Sequence, residues 1–257
     1  MRKDVLLALK SAFAAEQNKR SRELLRAIID NAAIARKDKV AICQDTGMPC
    51  VFLEIGQDVR ISGDLISAVN AGIELGYKKG AFRNSIVRDP LLREVSEFTP
   101  AVIHTDIVKG SKVKITVLPK GFGCENKSQL KMFNPTAKID DIKKFVVDTL
   151  KSAGSDACPP YVVGVGIGGT AEYAGLLAKK ALLRKITPYH LPPITKLVKL
   201  EYDLLRRINK LNIGVMGLGG KATCLAVNIE TYPTHIAGLP VAVNISCHAL
   251  RSADAII

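Results

Sequence analysis

Tryptophan is absent from this sequence, and phenylalanine with tyrosine brings the aromatic share to only 5% of 257 residues. With 47% apolar residues, the core must be built from aliphatic side chains and alanine rather than from stacked rings. No run of about 18 apolar residues occurs, which excludes a membrane-spanning helix. The N-terminal stretch MRKDVLLALKSAFAAEQNKR is interrupted by Asp4, Lys10 and Glu16. It therefore reads as an amphipathic helix rather than a signal peptide, and a cytoplasmic address is expected. Linkers rich in Pro, Gly or Ser are also missing, so one domain over residues 1–257 is expected.

Acidic residues are scarce: 24 Asp and Glu stand against 37 Lys and Arg, a formal net charge of +13. Such an excess invites nucleic acid, an acidic membrane surface or an anionic small molecule. Basic residues such as Arg36, Lys37, Lys78, Lys79, Lys179, Lys180, Arg184, Arg206 and Arg207 mostly fall on exposed helix faces and ends, where solvation is their ordinary use. Stacking aromatics do not interleave with them, and no helix-turn-helix or RNP signature is present, which speaks against nucleic acid.

What is present is a mixture of two periods. Residues 21–36 place Leu24, Leu25, Ile28, Ile29, Ala32 and Ala33 on one helical face, and 64–79, 138–151, 170–184 and 194–209 repeat that pattern. Val113, Ile115 and Val117 alternate with polar neighbours, as a half-buried strand does. Short, β-branched runs at Cys50–Ile55, Ala101–Ile107, Tyr161–Val165, Cys224–Ile229 and Val241–Ile245 add further strands. Their irregular order with the helices predicts a mixed α/β (α+β) fold, helices packed around a mixed β-sheet, rather than a doubly wound one.

Two glycine-rich segments invite a phosphate-binding reading. Gly164-Val165-Gly166-Ile167-Gly168-Gly169 matches G-x-G-x-x-G between a strand and a helix, but no Asp or Glu follows until Glu201, too far on to hold a ribose. The glycines remain able to admit an anion or a neighbouring backbone closely. Gly217-Leu218-Gly219-Gly220-Lys221 lacks both the leading glycine and the Ser or Thr of a phosphate loop. A nucleotide-binding module built on GVGIGG is the alternative these segments support.

Six cysteines are too few for a disulfide scaffold, and gaps of 7, 74, 34, 66 and 23 residues form no local zinc cage. Cys50 and Cys224 sit in apolar runs and read as core. Cys43, before Gln44-Asp45-Thr46-Gly47 at an expected strand end, Cys158, in Asp-Ala-Cys-Pro-Pro, and Cys247, after VAVNIS, lie at element ends. Residues in such places can converge. Three thiolates from separate loops would suit a [4Fe–4S] cluster with one iron left open. A buried small hydrophobe is the usual role of a single cysteine, and a nucleophile remains a further alternative.

The segments ICQDTGMP, FRNSIVRDPL, GFGCENKSQLKMFNP, DACPPYVVGVGIGGTAEYA, GVMGLGGKATCLAV and THIAGLPVAVNISCHALRSA together resemble the class I, iron–sulfur-dependent fumarase and L-tartrate dehydratase family. More narrowly, the chain resembles the α subunit of the two-subunit form, from about residue 5 to the end. The resemblance implies a hydro-lyase whose [4Fe–4S] cluster is held by Cys43, Cys158 and Cys247. It implies that Gln44, Asp45, Arg83 and Gly123 (or its neighbour Gly121) contact a C4 dicarboxylate, and that Asp45 and His235 take part in catalysis. It also implies a separate β subunit, a hetero-oligomer, and no activity of this chain alone. The implied reaction is hydration of fumarate to L-malate, with dehydration of L-tartrate as the alternative. Read as structure alone, Asp45 caps a turn, His235 is a core histidine and Arg83 a surface arginine. Cys124 departs from the family, which usually carries serine there.

Overall fold

The computed structural model describes residues 1–186 and 195–257. Along the chain run α1 (Lys3–Ala15), α2 (Lys19–Lys37), β1 (Met48–Gly56), α3 (Leu65–Lys79), β2 (Ile86–Val87), β3 (Ser96–Glu97), β4 (Val102–Val108) and β5 (Val113–Lys120). There follow α4 (Phe122–Glu125), β6 (Gln129–Phe133), α5 (Ile139–Ala153), β7 (Tyr161–Gly169), α6 (Ala171–Ala181) and α7 (Lys196–Asn209). The strands β8 (Cys224–Thr234), β9 (Leu239–Ser246) and β10 (Ala253–Ile256) complete the chain. The expected α+β class is what the chain adopts, and each expected helix and strand is there within a few residues, apart from the strand end expected at Cys43. Only residue 194 of the expected helix 194–209 lies outside the described residues. These elements form two compact units: residues 1–32 with 123–250, and residues 33–122 with 251–257.

The first unit is built on a four-stranded sheet of order β6-β9-β7-β8, in which β7 and β8 are parallel and the other pairs antiparallel. Odd-numbered side chains of β7 and β9, Val163, Val165, Val243 and Ile245, join Ile142, Val146 and Leu150 of α5 and Leu204 and Ile208 of α7 in one aliphatic core. Even-numbered positions meet α6. A Cβ on Gly164 would lie 2.0 Å from the Ala178 carbonyl oxygen, and one on Gly166 2.0 Å from that of Ala174. These glycines therefore admit a helix backbone, and they sit within a strand, which corrects the reading of Gly164–Gly169 as a loop. Period two decides it, because a strand shows alternate residues to alternate faces.

The second glycine segment also serves packing. Glu16 is buried, and its carboxylate accepts the backbone N–H groups of Gln17 and Asn18 at 2.9 Å and of Lys221 at 2.7 Å. A Cβ on Gly220 would stand 2.7 Å from the same carboxylate. Glu201 is likewise buried, and it accepts from Arg184 at 2.7 Å and from the Ile229 N–H at 2.8 Å. Lys179 too is more than a surface cation, since it is largely buried against Glu125 at 2.6 Å.

In the second unit the sheet order is β10-β5-β1-β4, with β1 and β4 parallel. Val51, Leu53 and Ile55 of β1 pack with Ile73 and Tyr77 of α3. Asp64 caps α3 by accepting the Ser67 N–H at 3.0 Å. Val40–Cys43, read as the end of a strand, is an irregular connection that leads from α2 into β1.

Candidate functional site

Two of the three singled-out cysteines belong to the first unit. Cys158 lies between α5 and β7, and Cys247 directly follows β9. Pairing of Val162 with Ser246 brings those two chain ends together at one end of the sheet. There the Cys158 carbonyl receives His248 Nδ1 at 3.0 Å, and the Ala249 N–H donates to the Cys247 sulfur at 3.4 Å. The Cys124 thiol donates to the Ala157 carbonyl at 3.3 Å, within the same loop.

His235 stands elsewhere. It occupies the turn between β8 and β9, exposed, with Nδ1 accepting the Ala237 N–H at 3.2 Å. It is thus an exposed histidine on the connection between two strands that flank β7, and not a core one. Strand β7 runs nine residues from the cysteine end to Gly169, which pairs with Thr234 beside that turn. At about 3.3 Å per residue the sheet separates His235 from Cys158 and Cys247 by roughly 26 Å.

The second unit gathers most of the remaining candidates around the turn after Cys43. Asp45 accepts the Gly47 N–H on one carboxylate oxygen at 3.1 Å and the Phe122 N–H on the other at 2.8 Å. The carboxylate thus caps its own turn and ties it to the chain leaving β5. Gly47 is obligatory here: its φ is +91°, and a Cβ would lie 2.6 Å from the Pro119 carbonyl carbon. Thr46 is buried, and its hydroxyl accepts the Arg83 N–H at 3.0 Å, which anchors an otherwise exposed Arg83 beside the turn. Gln44 is exposed. Of the two glycines, Gly121 is the one against Asp45, where its Cβ would be 3.2 Å from the carboxylate; Gly123 belongs to the first unit.

Two further residues hold this turn. The Tyr77 hydroxyl donates to the Gly47 carbonyl at 3.0 Å, and burial raises its pKa well above the ordinary phenol value. Arg251 donates to the Asp45 carbonyl at 2.5 Å. Thr46 lay within the polar motif, and Arg251 within the segment that follows Cys247. Tyr77, four residues after Ile73, gave a sequence signal for core burial only.

The thiols divide by environment. None of the six cysteines is in a disulfide; Cys43, Cys158 and Cys247 are half-buried, whereas Cys50, Cys124 and Cys224 are buried. Burial pushes the Cys224 thiol up to about 12, which removes it as a thiolate donor at neutral pH. Among the described residues, no group of three His, Cys, Asp or Glu is arranged to hold a metal ion. Cys158 and Cys247 in the first unit and Cys43 in the second each have the thiol chemistry of an iron ligand and lie outside any disulfide. The 680 Å³ groove along α5 and α7 is a different place, lined by ion-paired Lys143, Lys144, Asp203 and Arg207 and by none of the expected site residues.

The chain matches the fumarate hydratase (Fumerase) family over residues 1–256 and belongs to that family of hydro-lyases. It is 43% identical to a Methanocaldococcus jannaschii protein provisionally named L(+)-tartrate dehydratase subunit alpha, over 97% of this chain and 90% of that one. It is 31% identical to the L(+)-tartrate dehydratase subunit alpha of Escherichia coli K12, over 96% of this chain and 82% of the relative. No helix among the described residues is long and apolar enough to cross a membrane.

Proposed function

We propose that the chain is the α subunit of a [4Fe–4S]-dependent hydro-lyase that works with a separate β subunit on C4 dicarboxylates. The family match over residues 1–256 carries this reading, and reversible hydration of fumarate to L-malate is its leading form. Dehydration of L-tartrate is the second reading, favoured by the names of the relatives.

In the dehydration direction the C2–O bond breaks, a C3 proton leaves, and hydroxide and proton together make the released water. Cys43, Cys158 and Cys247 would hold the cluster, which supplies a Lewis acid toward the substrate hydroxyl when bound. Arg83 binds one substrate carboxylate through its guanidinium fork, while Gln44 and the backbone at Gly121 or Gly123 complete the contacts. The Asp45 carboxylate is held by two N–H donors with further lone pairs to spare. It orients the transferred water in preference to carrying the C3 proton, a task left to the β subunit. His235, some 26 Å along the sheet from Cys158 and Cys247, serves such a site from a second α chain. Turnover of malate and tartrate by the assembled α and β chains decides between the two substrates. Malate is expected to be the better one, and a preference for tartrate reverses the order.

A further inference from the structure

We propose that His248 is a positioning residue that fixes the Cys158 thiol relative to the Cys247 thiol through one hydrogen bond. The two cysteines reach the same end of the sheet from different chain segments, one ahead of β7 and one behind β9. Sheet pairing ends at Val162 and Ser246, so neither thiol is placed by the ladder itself. His248 closes that gap. Its backbone follows Cys247, and its ring nitrogen Nδ1 lies 3.0 Å from the Cys158 carbonyl oxygen.

A carbonyl oxygen only accepts, so Nδ1 must carry the hydrogen in this bond. The far side of the Cys158 loop is pinned separately. The Cys158 N–H donates to Ser155 at 3.0 Å, the Met216 N–H to the Pro159 carbonyl at 2.9 Å, and the Cys124 thiol to the Ala157 carbonyl at 3.3 Å. Cys158 itself has a φ of +51°, a conformation that a non-glycine residue holds only when its surroundings impose it. On the Cys247 side, the Ala249 N–H reaches the thiol sulfur at 3.4 Å. The His248 bond joins the two thiol-bearing segments directly. Its consequence for cluster retention rests on the ligand reading above; the bond itself does not.

The test uses the reduced, iron-free chain and phenylarsine oxide, a trivalent arsenical that bonds stably only to two neighbouring thiols. Peptide mapping follows the Cys158–Cys247 adduct. Replacing His248 with leucine (His248→Leu) is expected to slow capture about fivefold, the factor for one net hydrogen bond. His248→Asn, whose amide N–H can reach the same carbonyl, is expected to restore the native rate. Equal rates in native and leucine chains, or an asparagine variant as slow as the leucine one, overturn the proposal. The ¹⁵N tautomer state of His248 in the native chain gives an answer independent of any variant's folding. A proton on Nδ1 is expected, and a proton on Nε2 alone overturns the bond. In the reconstituted α–β enzyme, a chelator should strip iron about tenfold faster from the leucine variant than from the asparagine one. Failure of the native protein to bind a cluster would count against the ligand reading, with the arsenical and tautomer results still judging His248.

Discussion

Burial holds the Cys224 thiol protonated to about pH 12, while Cys43, Cys158 and Cys247 stand half-open to solvent. Iodoacetamide at pH 8 should therefore label Cys43, Cys158 and Cys247 in the folded, iron-free chain. Cys50, Cys124 and Cys224 should react only on unfolding, and mass mapping of the adducts checks this. Asp45 offers a second test at this scale. Asp45→Asn keeps the shape of the turn but replaces one of two N–H acceptors by a donor. It should lower kcat about 100-fold with little change in KM for the assembled enzyme, since orientation of water is needed only in the reacting complex. A variant that raises KM alone would make Asp45 a binding group. Much of this was legible. Cys43, Cys158 and Cys247 stood apart from the core cysteines by their polar, element-end settings. Tyr77 and His248 were not singled out, because one reads as an ordinary core residue and the other gains meaning only when two distant segments meet.

Among the elements, β7 shows where sequence reading fails and why. The string Val163-Gly164-Val165-Gly166-Ile167 alternates, which is a strand signature, but its glycine content suggests a loop. Glycine is usually poor in strands, and it is chosen here because α6 presses its backbone onto the even-numbered face. Gly166→Ala should thus cost about 3 kcal/mol of stability, read from denaturant midpoints, because the Ala174 carbonyl and Leu177 side chain must move. An unchanged midpoint would remove the packing argument. The strands β6 and β10 were missed because their residues are largely exposed and carry little apolar pattern. Arg184→Met is expected to cost about 2–3 kcal/mol, since it leaves the buried Glu201 carboxylate without its cation. Chemical unfolding of the variant against the native chain measures it.

At the scale of the whole molecule, a net charge of +13 first raises nucleic acid as a partner. Several of those charges are used internally: Lys143 with Asp203, Lys179 with Glu125, Arg184 with Glu201. Under the proposed function, part of the remainder faces a dianionic substrate and a partner chain of opposite charge. If His235 acts from a second α chain, mixing α chains carrying His235→Ala with α chains carrying Cys247→Ser should recover about a quarter of native activity in the presence of β. No gain over either parent would return His235 to a structural role. The central claim is tested most directly by anaerobic reconstitution of native α with β, iron and sulfide, followed by cluster absorbance and malate or tartrate turnover. The account predicts absorbance and turnover together, and loss of both when any one of Cys43, Cys158 or Cys247 becomes serine. Turnover by the iron-free pair, or undiminished cluster absorbance in any of those three variants, would contradict it.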